Sequence, residues 1–105
     1  MIKVIVGYKV KEGADIQPIL VNLRTNAMTF PGFISAENLY SEIDNSIVAI
    51  SMSWEKLEYW KEWESSNVRQ RILQDANTLL VEEPRITIYR LIPTTGWERY
   101  VRRES

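Results

Sequence analysis

The chemistry open to this 105-residue chain is narrowed first by two side chains that it lacks, cysteine and histidine. Without cysteine there are no disulfides, thiolate nucleophiles or zinc–thiolate sites. Without histidine the chain loses the commonest metal ligand and the commonest general base near neutral pH. Two tryptophans, Trp60 and Trp63, stand three residues apart and would share one face of a helix. Such a pair can stack on an aromatic ligand or fill a core, and filling a core is the commoner use.

Composition excludes several classes of partner. The chain has 13 basic and 14 acidic residues, a formal charge of -1, and so offers no overall basic field to nucleic acid. It has no apolar run of the length that a membrane span or a signal peptide needs, which predicts a cytoplasmic protein. The carboxylates between residues 55 and 64 follow the pattern of a solvated helix face, and this predicts no metal site.

The elements that must position any site follow from hydrophobic periodicity. Alternation of apolar residues predicts strands, and recurrence every three or four residues predicts helices. The predicted strands are 1–10, 33–40, 47–54 and 86–92; the predicted helices are 16–28 and two more between 55 and 81, interrupted near 65–67. This β-α-β-β-α-α-β order predicts an α+β, ferredoxin-like fold with one antiparallel sheet backed by helices.

The chain is predicted to form one domain over residues 1–93, with a tail over 94–105 that docks at a dimer. Helices of so short a chain cover only one face of the sheet, and Ile5, Ile47 and Ala49 make the second face look apolar as well. An exposed apolar sheet face is an aggregation liability. The pattern therefore predicts a homodimer joined through the open faces of two sheets.

Two segments resemble the antibiotic biosynthesis monooxygenase family. They are Pro31-Gly32-Phe33, which opens the second strand, and residues 54–66, where a tryptophan ends the third strand and a short aromatic helix and a serine follow. The resemblance spans about residues 1–92 and implies a dimeric α/β barrel. In the family's haem-degrading branch Trp63 has a counterpart, but those enzymes also carry a histidine where this chain has Ile72-Leu73-Gln74. The comparison therefore predicts neither haem nor any other cofactor.

The family's cofactor-free branch implies an aromatic or quinonoid substrate held between sheet and helices. The side chains that match this use are tryptophans for stacking and amides or hydroxyls for substrate oxygens. They are Trp63, Trp60, Asn38 and Tyr8, with Ser51 and Ser53 as further polar candidates. The resemblance identifies no catalytic residue.

Each of these candidates also has a structural explanation. The tryptophans could fill the core, Asn38 could satisfy backbone groups beside a hairpin, and Tyr8 could be a half-buried strand residue with its hydroxyl at the rim. The leading hypothesis is a cofactor-independent monooxygenase-like protein acting on a small aromatic or quinonoid compound in a cavity within each subunit. The alternatives are a non-catalytic small-ligand-binding protein and a purely structural dimeric module, so whether the chain is an enzyme stays open.

Overall fold

A computed structural model describes residues 1–92 of the chain. It contains strands β1 (Ile2–Lys9), β2 (Phe33–Tyr40), β3 (Ile47–Trp54) and β4 (Arg85–Arg90), and helices α1 (Gln17–Ala27), α2 (Leu57–Glu64) and α3 (Asn67–Ala76). A single 3₁₀ turn, Asn77–Leu79, follows α3. The predicted α+β class and element order are confirmed. The predicted tail over 94–105 lies outside the described residues.

The sheet is antiparallel, with the strand order β2-β3-β1-β4. β1 lies between β3 and β4, so that Val4 is opposite Met52 on one side and Ile88 on the other. One face of the sheet packs against the three helices. The largest fully buried side chains there include Trp54, Trp60, Trp63, Leu20 and Leu23.

Two serines separate α2 from α3 and so determine how the two helices leave the sheet. The Ser66 hydroxyl donates to the Trp63 carbonyl at 2.7 Å, and the Ser66 backbone N–H donates to the same carbonyl at 3.1 Å, at the end of α2. The same hydroxyl accepts from the Arg69 backbone N–H at 3.3 Å and caps α3. The break predicted near residues 65–67 is confirmed, and it positions Trp63 and Arg69 on consecutive helices.

The sheet face away from the helices is more polar than the sequence pattern suggested. Ile5, Ile47 and Ala49 do lie on it, but Lys3 stands opposite Ser53 and Glu37 stands opposite Ser51. An ion pair of 3.9 Å joins Lys3 Nζ to Glu37 Oε1 across β3. This face is therefore a mixed surface in which small and charged side chains surround a few aliphatic ones.

No helix among residues 1–92 is long and apolar enough to cross a membrane.

Candidate functional site

A cleft opens where the helices stop short of β4. Ile86 and Ile88 are paired with Val6 and Val4 and face the helix side of the sheet, yet they are 38% and 45% exposed. The space between α3 and this strand is about 230 Å³. It is lined by Arg69, Leu73, Asn77, Leu80, Glu83, Pro84 and Ile86. A cavity of about 150 Å³ accommodates benzene, so this cleft has room for a small ring compound.

Larger hollows in the described residues have a different character. One of about 470 Å³ lies between Met1, Lys56 and Arg90, and another of about 360 Å³ lies beside Lys11 and Asn45. Neither is lined by a buried polar or charged side chain. A third, of about 240 Å³, lies beside Gly7, Lys9 and Ile47, and the buried Tyr8 is among its lining residues. Of these hollows, the cleft beside α3 is the one lined by a buried charged side chain, Arg69, and we therefore take it as the candidate site.

Arg69 reaches the cleft because of its position on α3. It shares the buried face of that helix with Ile72 and Ala76, three and seven residues later, and is only 5% exposed. Its guanidinium lies 5.5 Å from the centroid of the Trp60 ring and donates to the Glu64 backbone carbonyl at 3.3 Å. The ion pairs found within residues 1–92 do not include it. Arg69 is thus a buried cation without an adjacent carboxylate in the described part of the chain.

Tyr8 is the second buried polar group at this side of the core. It lies on the helix-facing side of β1, opposite Val48, and is almost fully buried. Burial raises the pKa of Tyr8 to about 12, and the nearby positive charge of Arg69 opposes part of that rise. Burial also lowers the pKa of Arg69, against the effects of Tyr8 and Glu64. Near neutral pH Tyr8 is a neutral phenol and Arg69 is a guanidinium cation, and of the two only Arg69 is among the residues that line the cleft. A guanidinium suits binding an oxygen that carries negative charge.

The raised pKa of Tyr8 predicts a loss of stability at alkaline pH. Its folded pKa of about 12 exceeds the ordinary 10.0, so the contribution is complete below pH 10 and lost as the pH rises through 12. Two pKa units correspond to about 2–3 kcal/mol. We expect the unfolding free energy of the wild type to fall by about that much more than that of Tyr8→Phe in urea titrations across this range. Tyr40→Phe, at an exposed position, should retain the wild-type fall; equal falls in all three proteins would contradict the prediction.

Three further buried polar atoms have no hydrogen-bond partner within the described residues. They are Asn38 Oδ1, Trp54 Nε1 and Trp60 Nε1. Asn38 lies on the helix-facing side of β2, opposite Ile50, so its amide oxygen does not satisfy a backbone group as the structural explanation would require. Buried polar atoms normally have partners, so each of these marks a place where a water or a ligand atom would be stabilised.

The two predicted tryptophans are both buried but contact different groups. Trp60 packs edge-on against Trp54, with ring centroids 6.4 Å apart, and carries Arg69 over its own ring. Trp63 packs edge-on against Phe30 at 5.1 Å. Trp60 therefore connects the predicted aromatic pair to the cleft through Arg69. A ligand contact by Trp60, Trp63, Asn38 or Tyr8 stays a prediction.

Two other sequence candidates are corrected by the sheet register. Ser51 and Ser53 are paired with Ile5 and Lys3, and all four lie on the sheet face away from the helices. They cannot line a cavity between sheet and helices, because neighbouring residues of a strand point to opposite faces and Ile50 and Met52 occupy the inner one. Among residues 1–92, no three metal-binding side chains cluster together.

Sequence reasoning missed Arg69, although the pattern contained a usable indication. Its spacing to Ile72 and Ala76 places a guanidinium on the apolar face of α3, where a charged side chain needs an explanation. Its neighbours Gln70 and Arg71 are polar as well, so Arg69 did not stand out from them in the sequence.

Comparisons with known proteins find this architecture in several solved structures. One is a proposed antibiotic biosynthesis monooxygenase from Nitrosomonas europaea, at 14% identity and a TM-score of 0.79, covering 89% of this chain and 100% of that one. A second antibiotic biosynthesis monooxygenase is 15% identical, with a TM-score of 0.77 and coverages of 89% and 100%. A mutant of SnoaB, a cofactor-independent oxygenase from Streptomyces nogalater, is 10% identical, with a TM-score of 0.77 and coverages of 90% and 96%.

The chain has the fold of these proteins. At 10–15% identity the likeness concerns the fold, and it confirms the resemblance carried by residues 31–33 and 54–66 at that level. No model of a known protein family and no curated protein matches the chain.

Proposed function

We propose that this chain is a cofactor-independent monooxygenase-like protein that holds a small aromatic or quinonoid compound between α3 and β4. The observation that carries the proposal is a cleft of about 230 Å³ with aliphatic walls and a buried guanidinium at its lining, close to a buried phenol. Few polar groups in an otherwise apolar concavity are typical of small-molecule sites. The fold shared with SnoaB, which is named a cofactor-independent oxygenase, adds support.

The proposed reaction uses dissolved dioxygen as the oxidant. A ring methylene of the substrate loses a proton to solvent, and the resulting carbanion forms a C–O bond to dioxygen, which takes up a proton to give a hydroperoxide. Loss of the second methylene proton with cleavage of the O–O bond then gives a ring carbonyl and one water. The atoms balance as R₂CH₂ + O₂ giving R₂C=O + H₂O. Side chains of this chain then have to bind and orient the substrate, and the described cleft offers groups for that purpose: aliphatic walls at Leu73 and Ile86 and a polar end at Arg69.

Oxygen consumption against a panel of hydroquinones and anthrones tests this function, with haem titration in parallel. We expect uptake without added cofactor for at least one anthrone, because anthrones carry the ring methylene that the reaction consumes; hydroquinones lack it and serve as the comparison. Leu73→Trp, which fills the cleft, should abolish the uptake, whereas Val21→Trp, at an exposed position of α1, should leave it unchanged. Absence of uptake for the whole panel, or uptake that Leu73→Trp leaves intact, would contradict the proposal, as would a 1:1 haem complex ligated by the protein.

A non-catalytic ligand-binding protein is the second candidate, and one observation favours it. Tyr8, with a pKa of about 12, is a protonated phenol near neutral pH and so offers no base for the substrate proton, and the cleft's carboxylate, Glu83, is exposed. A protein of this kind would bind aromatic compounds and consume no oxygen. Saturable binding without uptake would therefore favour it.

We also propose that the chain forms a cytoplasmic homodimer through the sheet face away from the helices. Leu39 and Ile47 on that face are exposed, and the small residues Gly7, Ala49 and Ser51 beside them allow another sheet to approach closely. Sedimentation at micromolar concentration should show twice the 12.3 kDa mass of the chain. A single species of 12.3 kDa would contradict this.

A further inference from the structure

We infer that the ligand of the cleft is an aromatic monoanion whose oxyanion pairs with Arg69. The inference rests on the proposed function for the location of the ligand and adds its charge, which neither the fold nor the cleft volume determines. It follows from the surroundings of one guanidinium.

The hydrogen-bonding capacity of Arg69 is largely unused within the described residues. A guanidinium has five N–H donors, and here one bond is made, to the Glu64 carbonyl at 3.3 Å. Its Cζ lies over the Trp60 ring, 5.5 Å from the centroid, and this contact uses none of the N–H donors in a hydrogen bond. The remaining N–H donors match the two oxygens of a carboxylate, or the single oxygen of a phenolate.

The charges around Arg69 do not replace such a ligand. Tyr8 is a neutral phenol near pH 7, and the carboxylate of Glu64 acts on Arg69 from beyond ion-pair distance. Burying a cation without an adjacent anion is unfavourable, and a ligand oxyanion would remove that cost on binding.

Glu83 places a negative charge at the cleft, opposite in sign to Arg69, and this limits the ligand to one negative charge. Glu83 and Asn77, both exposed, line the same space as Arg69. A second anionic group on the ligand would therefore face a carboxylate rather than a cation. Leu73, Leu80 and Ile86 line the space with aliphatic surface for the ring.

Binding of two matched pairs of compounds tests the inference without requiring turnover. The first pair is 1-naphthoate and 1-naphthamide, which differ in charge at nearly constant shape; the second is 4-nitrophenolate and 4-nitroanisole. Calorimetry on the full chain should give about tenfold to hundredfold tighter binding of the anion in at least one pair, the range expected for a charge-assisted hydrogen bond. The pair that responds distinguishes a carboxylate from a phenolate.

Variants of α3 assign that preference to one side chain. Arg69→Gln should bind the charged and neutral members equally, Arg69→Lys should keep part of the preference, and Arg71→Gln, at an exposed position, should match the wild type. If Arg69→Gln does not fold, the preference of the wild type and of Arg69→Lys for the charged compounds still tests the inference. Equal binding of charged and neutral compounds by the wild type would overturn the inference and leave the proposed function standing. Absence of binding by all four compounds would overturn both.

Discussion

Trp63→Ala is expected to lower the free energy of unfolding by about 3–5 kcal/mol, the range for truncating a buried aromatic residue. Trp63 is 1% exposed, and its ring meets that of Phe30 edge-on at 5.1 Å. Removing the indole leaves a cavity between α2 and the segment that follows α1. Urea unfolding followed by circular dichroism measures the change without depending on the deleted fluorophore.

Leu57→Ala on the same helix is the matched control. Leu57 lies at the exposed start of α2, and its truncation should cost less than about 1 kcal/mol. Equal losses in the two variants would show that α2 as a whole, rather than the packing of Trp63, determines the effect. A small loss for Trp63→Ala would contradict the core role.

The same variant separates packing from ligand contact when it is combined with fluorescence. A tryptophan that contacts the ligand should change its emission when an aromatic compound is added, and its truncation should reduce affinity. If Trp63→Ala is severely destabilised and the fluorescence of the wild type does not change with any compound tried, the predicted ligand site at Trp63 should be abandoned. The hypothesis of a purely structural dimeric module would then be favoured.

Gly32→Ala is expected to cost about 2–5 kcal/mol, for two reasons that add. Gly32 has φ of +79°, where a residue with a Cβ loses about 1–2 kcal/mol. A Cβ at this position would also lie 2.2 Å from Tyr59 Cδ2 and 2.8 Å from Tyr59 Cβ, and relieving such overpacking costs about a further 1–3 kcal/mol. The Pro31-Gly32-Phe33 motif thus has a physical basis, because α2 packs directly on the turn.

Gly13→Ala isolates the first of these reasons, the backbone cost. Gly13 has nearly the same φ, +80°, but nothing lies within 4 Å of the Cβ that alanine would add. Only the backbone cost of about 1–2 kcal/mol should appear there in urea unfolding. If the two variants lose the same amount of stability, the contact with Tyr59 is not what requires glycine.

Local patterns in the sequence predicted the strands and helices well, because each of these elements depends mainly on residues that are neighbours in the chain. Alternation from Ile2 to Val10 determined β1, and the serines after Trp63 placed the break between α2 and α3. The glycine turn before Phe33 was predicted in the same way. Such features depend on periodicity and turn chemistry, which a single sequence displays.

Features that depend on strand order were not predictable in this way. Nothing local to Ile86 and Ile88 indicates that β4 takes an edge position beyond the helices, and this is what opens the cleft. The sides taken by Ser51 and Ser53, by contrast, could have been predicted, because alternation along β3 places them on the same face as Ile47 and Ala49. Arg69 had the right spacing for burial, but its role depends on Trp60 and on the uncovered strand.

The most direct test of the site is to determine where on the protein a ligand binds. We would titrate the ¹⁵N-labelled chain with 1-naphthoate and, separately, with 1-naphthamide, and follow the Trp60 Nε1–H and Arg69 Nε–H resonances. We predict that binding of either compound moves both resonances together with the backbone amides of residues 69–77 and 85–88. Saturable binding that leaves these signals in place and moves residues of the opposite sheet face, or no binding by either compound, would contradict a ligand site between α3 and β4.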